Sequence, residues 1–258
     1  MKTLFRKAAG CLAIAFAAVG SAQAATATLA ELFKPGGSIQ AGDKLFDNWT
    51  QNFYDTSFAG KTFNPANILV TSLDDGGLNP GPGLSFSVLN GELSVTGANV
   101  YTYIDLQIGF RASVLLPGLA IKDVSLGLGI GDGVLEWRTA PPVNDLGMYV
   151  HEDVGTTAGG DDLGTNEVEF SVLDNALTSN LTDTANFAPQ SELWVTKNIL
   201  VWSQNATDTA TLSGFEQRFS QTPIPEPASF ALVGVALAAA AAARRLRGPD
   251  ARHMAAAA

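Results

Sequence analysis

An all-β fold, an antiparallel two-sheet sandwich of jelly-roll type, is what this sequence predicts, and three observations predict it. Apolar residues recur at every second position in several short stretches, and Gly, Asp, Asn and Pro break the chain between them. Between positions 25 and 222 nothing carries the 3.6-residue period of a long amphipathic helix. That interval of about 200 residues suits one domain, since no proline-rich or low-complexity linker divides it and no internal repeat is visible.

The elements follow in order. Leu29 to Phe33 forms at most a short helical turn, and Thr50 to Tyr54 and Ile68 to Ser72 are candidate strands. Leu84, Phe86 and Val88 alternate with serines, then Asn90-Gly91 leads to Leu93 and Val95. This predicts a hairpin, because Asn-Gly supplies the positive φ angles of a tight two-residue turn. Ile104, Leu106, Ile108 and Phe110 alternate with Asp105, Gln107, Gly109 and Arg111, so all four apolar side chains share one sheet face. Val124, Leu126, Leu128 and Ile130 repeat the pattern, as do Val168, Phe170 and Val172. Gly127, Gly129, Gly131 and Gly133 predict a strand whose glycine face lies under another backbone; they lack the order of a nucleotide loop. Asn198 to Ser203 and Thr209 to Phe219 complete the set.

Both ends of the chain read as addresses. Lys2, Arg6 and Lys7, the apolar stretch from Ala8 to Val19 and the small-residue site Ala22-Gln23-Ala24 predict a signal peptide over 1–24, cut by signal peptidase between Ala24 and Ala25. Most of the apolar stretch follows Cys11, whereas a lipoprotein box has it before the cysteine, which argues against such a box. Near the other end, Pro223-Ile224-Pro225-Glu226-Pro227 is followed by the uncharged run Ala228 to Ala243 and by Arg244, Arg245 and Arg247. Such a run makes a helix of about 24 Å, just short of a bilayer core of about 30 Å. The prolines hold Glu226 in extended backbone before the helix begins. The arginines stop the helix and stay inside, so the segment between the two ends faces the exterior.

Proline triplet, apolar helix and basic stop together resemble the PEP-CTERM sorting signal of exosortase substrates, with Pro225, Glu226 and Pro227 as the triplet and residues 223–247 as the signal. The resemblance implies an exported protein, held briefly in the inner membrane and processed by an exosortase. It is then released to the cell surface or the extracellular polysaccharide matrix of a biofilm. Residues 248–258 extend past the arginines as a cytoplasmic tail, where that family usually ends. Ile39 to Phe46, with Gly42-Asp43-Lys44-Leu45-Phe46, and Ala210 to Phe219 resemble the opening and closing elements of the same group, and are expected to be the first and last paired strands.

The chemistry left to the domain is narrow. Within it the basic residues are Lys34, Lys44, Lys61, Arg111, Lys122, Arg138, Lys197 and Arg218, and the whole chain has a net charge of -10. An acidic surface excludes nucleic acid as a partner and favours divalent or cationic ones. The chain's 1 cysteine, Cys11, falls in the signal peptide, so the exported domain has no disulfide. His151 is the domain's lone histidine, in an expected acidic loop, which argues against structural zinc and a hydrolytic triad. Asp105, Glu136 and Glu169 are candidates for paired carboxylates, yet each occupies a position expected to face solvent, so no enzymatic activity is expected. Asp74-Asp75-Gly76-Gly77 and Gly159-Gly160-Asp161-Asp162 make Asp74, Asp75, Asp161 and Asp162 candidate calcium ligands, without the order of an EF-hand. Trp49 and Trp137, with polar neighbours, are candidates for stacking on sugar rings. The leading expectation is a non-catalytic surface or matrix protein; the alternative is a carbohydrate-binding module, calcium-dependent or not.

Overall fold

The computed structural model describes residues 24–129, 131–137, 145–224, 235–240 and 242. Its first layer is a seven-stranded antiparallel sheet. The members are β2 (Ile39–Ala41), β3 (Lys44–Thr56), β7 (Thr102–Val114), β10 (Asp145–Gly155), β11 (Gly164–Leu173), β12 (Ala176–Asn180) and β14 (Glu192–Ser203). They lie in the order β12-β11-β10-β14-β7-β3-β2. A six-stranded sheet faces it, built from β1 (Thr26–Thr28), β4 (Ile68–Leu73), β5 (Gly83–Val88), β8 (Leu119–Gly127), β13 (Thr182–Gln190) and β16 (Gly214–Pro223). Their order is β1-β4-β5-β16-β8-β13. Because β7, β8, β10, β13, β14 and β16 alternate between the sheets, the chain wraps repeatedly around one core.

Alternation places that core. Ile104, Leu106, Ile108 and Phe110 on β7 are fully buried, as their period of two predicts. Opposite them stand Val124 and Leu126 on β8, Phe86 on β5, and Phe215 and Phe219 on β16, all buried. One aromatic pair ties the layers, Phe46 meeting Phe219 at 5.1 Å between centroids, and within the six-stranded sheet Phe86 stacks on its cross-strand partner Phe215 at 4.4 Å.

The remaining elements are small. The helix α1 (Leu29–Leu32) sits where the sequence allows a turn, and it is held by a capping box in which Thr28 and Glu31 satisfy each other's backbone N–H. A 3-10 turn covers Pro65–Asn67. A third sheet of three strands, β6 (Ser94–Thr96), β9 (Gly133–Glu136) and β15 (Thr209–Leu212), was not anticipated.

Five expectations change. Asn90 and Gly91 do adopt φ of 56° and 63°, but β5 and β6 belong to different sheets, so the turn exits one layer without forming a hairpin. The run from Thr209 to Phe219 breaks at Ser213, whose N–H is taken by the Asp132 carbonyl at 2.6 Å, and its halves join different sheets. Of the alternating glycines, Gly127 ends β8 and Gly133 begins β9, and the other two lie in the turn between them, where Gly131 has φ 91° and a Cβ on Gly129 would lie 2.7 Å from Asp132 Oδ2. The first paired strand is β1, ahead of Ile39. His151, Glu152 and Asp153 lie in the middle of β10, paired on both sides, and form no loop. The signal peptide over 1–24 falls outside the described residues except Ala24. Of the expected membrane helix, residues 235–240 and 242 are helical and the rest lies outside the description. Among the described residues no helix is long and apolar enough to cross a membrane.

Candidate functional site

Sheet pairing runs up to both addresses. At the start, Ala25 N–H donates to Ser72 Oγ at 2.7 Å and the Ala25 carbonyl accepts from Ser72 N–H at 2.8 Å. The expected cleavage between Ala24 and Ala25 would therefore leave β1 whole, with its new amino group beside Ser72; Ala22 is outside the described residues. At the other end Pro223 pairs with Leu119, and Ile224 N–H donates to the Gly118 carbonyl at 2.8 Å. Pro225, Glu226, Pro227, Arg244, Arg245 and Arg247 lie outside the described residues. The ladder thus holds the chain until one residue before the proline triplet.

Two of the four candidate calcium ligands, Asp75 and Asp162, have their carboxylates engaged by other residues. Asp75 takes Arg218 Nη1 at 2.5 Å, and this bond holds its carboxyl below the usual range. Asp162 accepts the Thr156 N–H and hydroxyl, both at 2.8 Å, which lowers its pKa and closes the turn between β10 and β11. Asp74 packs against Gly42, where a Cβ would approach its Oδ1 to 2.4 Å, and Asp161 is exposed with its carbonyl bonded to Gly164 N–H at 3.0 Å. Among the described residues no three His, Cys, Asp or Glu side chains gather as a metal site.

The two candidate tryptophans part company. Trp49 is a core residue, 5% exposed, stacked on Phe110 at 4.5 Å and donating its Nε1–H to the Phe46 carbonyl at 3.1 Å. Its neighbour explains the reversal: Asn48 has φ 54°, and the register of β3 against β7 shifts between Asp47 and Thr50. This bulge turns Trp49 inward, and the polar residues beside it do not predict its side. Trp137 is 41% exposed, directly after β9.

What sequence reasoning missed is the outer face of the seven-stranded sheet. By strand alternation it carries Tyr103, Asp105, Gln107 and Arg111 from β7, Trp194 and Asn198 from β14, and Tyr149 and His151 from β10. Arg111 forks onto Asp47 through Nε and Nη2, both at 2.9 Å, and its guanidinium lies 6.0 Å from the Trp194 ring. A cleft of about 600 Å³ opens here, with Asp47, Asn48, Thr50, Ala158 and Trp194 among its walls. Further along, Tyr103 donates to Asp55 at 2.6 Å, Asn198 to Asp105 at 3.0 Å and Tyr149 to Asn198 at 3.1 Å. Desolvation, then the Asp55 charge, raise the Asp105 carboxyl above its usual range. Asp105, Glu136 and Glu169 lie on β7, β9 and β11.

Comparison with known proteins bears on the C-terminal address. A family model described as PEP-CTERM protein-sorting motif matches residues 223–247. This chain carries a PEP-CTERM sorting motif. The motif begins at the last residue of β16, so the sandwich and its address share one strand end. It implies export, with processing by an exosortase and a surface or extracellular destination. No curated protein matches the chain. Among solved structures, one is described as TmCBM61 in complex with beta-1,4-galactotriose. It shares 12% identity, covers 69% of this chain and 89% of its own, and has a TM-score of 0.23, too low to inform fold or ligand.

The strand that leads into the sorting motif also brings two amides into the core. Gln217 Nε2 donates to Glu152 Oε2 at 2.6 Å, and Lys197 Nζ forms an ion pair with the same oxygen. Glu152, Lys197 and Gln217 are all 0% exposed. Asn166 donates to the other oxygen of Glu152 at 3.0 Å and to the Val124 carbonyl at 3.0 Å. At the sheet's end Gln221 Nε2 at 2.9 Å and Lys44 Nζ at 2.8 Å share Asp43 Oδ1, so the opening Gly-Asp-Lys-Leu-Phe element and the closing strand meet. The period of two carried a signal for the first of these networks: Glu152, Lys197 and Gln217 each stand two residues from buried apolar neighbours on both sides, Val150 and Val154, Val195 and Ile199, Phe215 and Phe219, which puts all three on the core face, and their polar type concealed it.

Proposed function

We propose that this is a non-catalytic, exported surface or matrix protein. On this reading signal peptidase removes 1–24, the inner membrane holds the chain by residues 228–243, and an exosortase acts at Pro225-Glu226-Pro227. The domain over 25–222 is then released to the cell surface or exopolysaccharide. The sorting motif at residues 223–247 carries the reading, supported by a ladder that stays closed through Pro223, so processing beyond it leaves the sandwich intact.

The test is the intact mass and location of the mature protein from its own cells, beside a Pro225→Ala, Glu226→Ala, Pro227→Ala triple variant. Wild type outside the cell without Met1 to Ala24 and without the segment beyond the triplet, and variant retained in the membrane, is the expected result. Both proteins keeping Arg244 to Ala258 in the membrane would refute it.

A second reading, carbohydrate binding, is favoured by the outer sheet face. Tyr101, Tyr103, Tyr149 and Trp194 present ring surface, while Asp55, Asp105 and Asn198 supply hydroxyl partners, the combination that sugar rings require. Exposed Trp137 offers one more ring. Titration of soluble polysaccharides should show binding weakened about tenfold in Tyr103→Ala or Trp194→Ala; equal isotherms for variants and wild type would exclude this face.

A further inference from the structure

A secreted domain without disulfides keeps a lysine, a carboxylate and two primary amides in its driest region. Lys197 comes from β14, Glu152 from β10 and Asn166 from β11, as lateral partners in one sheet, and Gln217 reaches across from β16 in the other. Lys197 Nζ lies 5.9 Å from the Phe86 ring centre and 5.3 Å from that of Phe215, so stacked aromatics screen it from water. The amine of Lys197 and the amide nitrogen of Gln217 touch one oxygen, Glu152 Oε2. Gln217 Oε1 is buried without a hydrogen-bond partner. A nucleophile, a leaving nitrogen and a proton carrier therefore share a single point, beside an unpartnered carbonyl.

We propose that Lys197 and Gln217 form an intramolecular amide bond that staples the two sheets together, with Glu152 as the proton-transferring catalytic residue. Glu152 takes a proton from the Lys197 ammonium, and the freed Nζ adds to Gln217 Cδ. The Nζ–Cδ bond forms and the Cδ–Nε2 bond breaks while Glu152 passes to the departing nitrogen both this proton and the second one that Nζ sheds on becoming an amide nitrogen. The nitrogen leaves as ammonium, which carries off the charge Lys197 brought, and Glu152 ends ionised as it began. No oxidant, reductant or cofactor enters the balance. Burial supports the first step, because desolvation lowers the Lys197 pKa and favours the free amine. Gln217 is a better acceptor than Asn166, whose amide nitrogen sits on the other carboxylate oxygen and on Val124. The product would do what a disulfide does elsewhere, binding the strand that enters the sorting motif to the opposite sheet.

The test is the denatured mass of the full chain purified in its folded form, followed by peptide mapping. Wild type should weigh one ammonia less than its sequence and yield a branched peptide joining Lys197 to Gln217. Glu152→Gln and Lys197→Met, checked for native strand content by circular dichroism, should show the full sequence mass. Gln217→Glu should lose one water instead of one ammonia, since hydroxide replaces the amide nitrogen as leaving group. A folded wild type at full mass overturns the proposal. So does a branch ending on Asn166 or at Lys44–Gln221, or an ammonia loss mapped to a succinimide at Asn90-Gly91.

Discussion

Removing the carboxylate of Glu152 while keeping its shape tests whether the buried lysine depends on it for charge. In Glu152→Gln the Lys197 ammonium, 0% exposed, retains two aromatic rings but no anion. Breaking a buried pair in this way costs about 3–5 kcal/mol, a large part of a domain stability of about 5–15 kcal/mol. With a urea slope of about 2 kcal/mol per molar, the midpoint should lie about 2 M below that of the same chain without the stranded charge. Adding Lys197→Met removes the stranded charge and should recover most of the loss. Both variants lack the proposed amide bond, so they are compared at equal covalent structure. The sign of the pH dependence follows from the lysine. Its folded pKa lies below its unfolded value, so between the two the unfolded chain binds more protons and stability rises with pH, by up to about 1.4 kcal/mol per unit. The single variant should therefore gain stability from neutral pH towards the ordinary lysine range near 10.4, and the double variant should not. Equal urea midpoints for the two variants, or a flat pH profile for Glu152→Gln, would refute the reasoning.

Other expectations are simpler. Gly147→Ala would put a Cβ 2.5 Å from Ser171 Cβ and 2.6 Å from Trp202 Cζ2, so a loss of about 1–3 kcal/mol with a red-shifted tryptophan emission is expected. Phe215→Ala, from a buried ring stacked on Phe86, should cost about 3–5 kcal/mol in urea unfolding. Calcium added at millimolar level, or removed with chelator, should leave the thermal midpoint where it is, because Asp75 and Asp162 are engaged by Arg218 and Thr156. Asp47→Ala should leave stability within about 1 kcal/mol, since the Arg111 pair is partly solvated at 30% and 21% side-chain exposure.

The strand content was readable wherever both faces of a strand obeyed the period of two. Ile104 to Phe110 is the clearest case, and the C-terminal address was readable because its order of proline, apolar helix and arginine is local in the chain. Misreadings came where one residue breaks the period. Asn48 inverts Trp49, and Ser213 sends the two halves of an apparently continuous strand to different sheets. The Asn90-Gly91 turn has its predicted backbone and a different use, because a positive φ fixes the local bend and leaves the pairing partner open.

Sequence alone determined what depends on neighbours along the chain: the C-terminal sorting motif, the strand period, the lack of cysteine between residues 25 and 222, and an excess of acidic over basic residues. Tertiary structure decided what depends on pairing across the chain. Glu152, Lys197 and Gln217 lie far apart in sequence, and although each falls on the apolar face of its strand, nothing local names its partner. They become a core network only because antiparallel register sets Glu152 beside Lys197 and sheet stacking brings Gln217 onto Glu152. Long-range register depends on which strands meet, and periodicity within one strand carries no record of its partner.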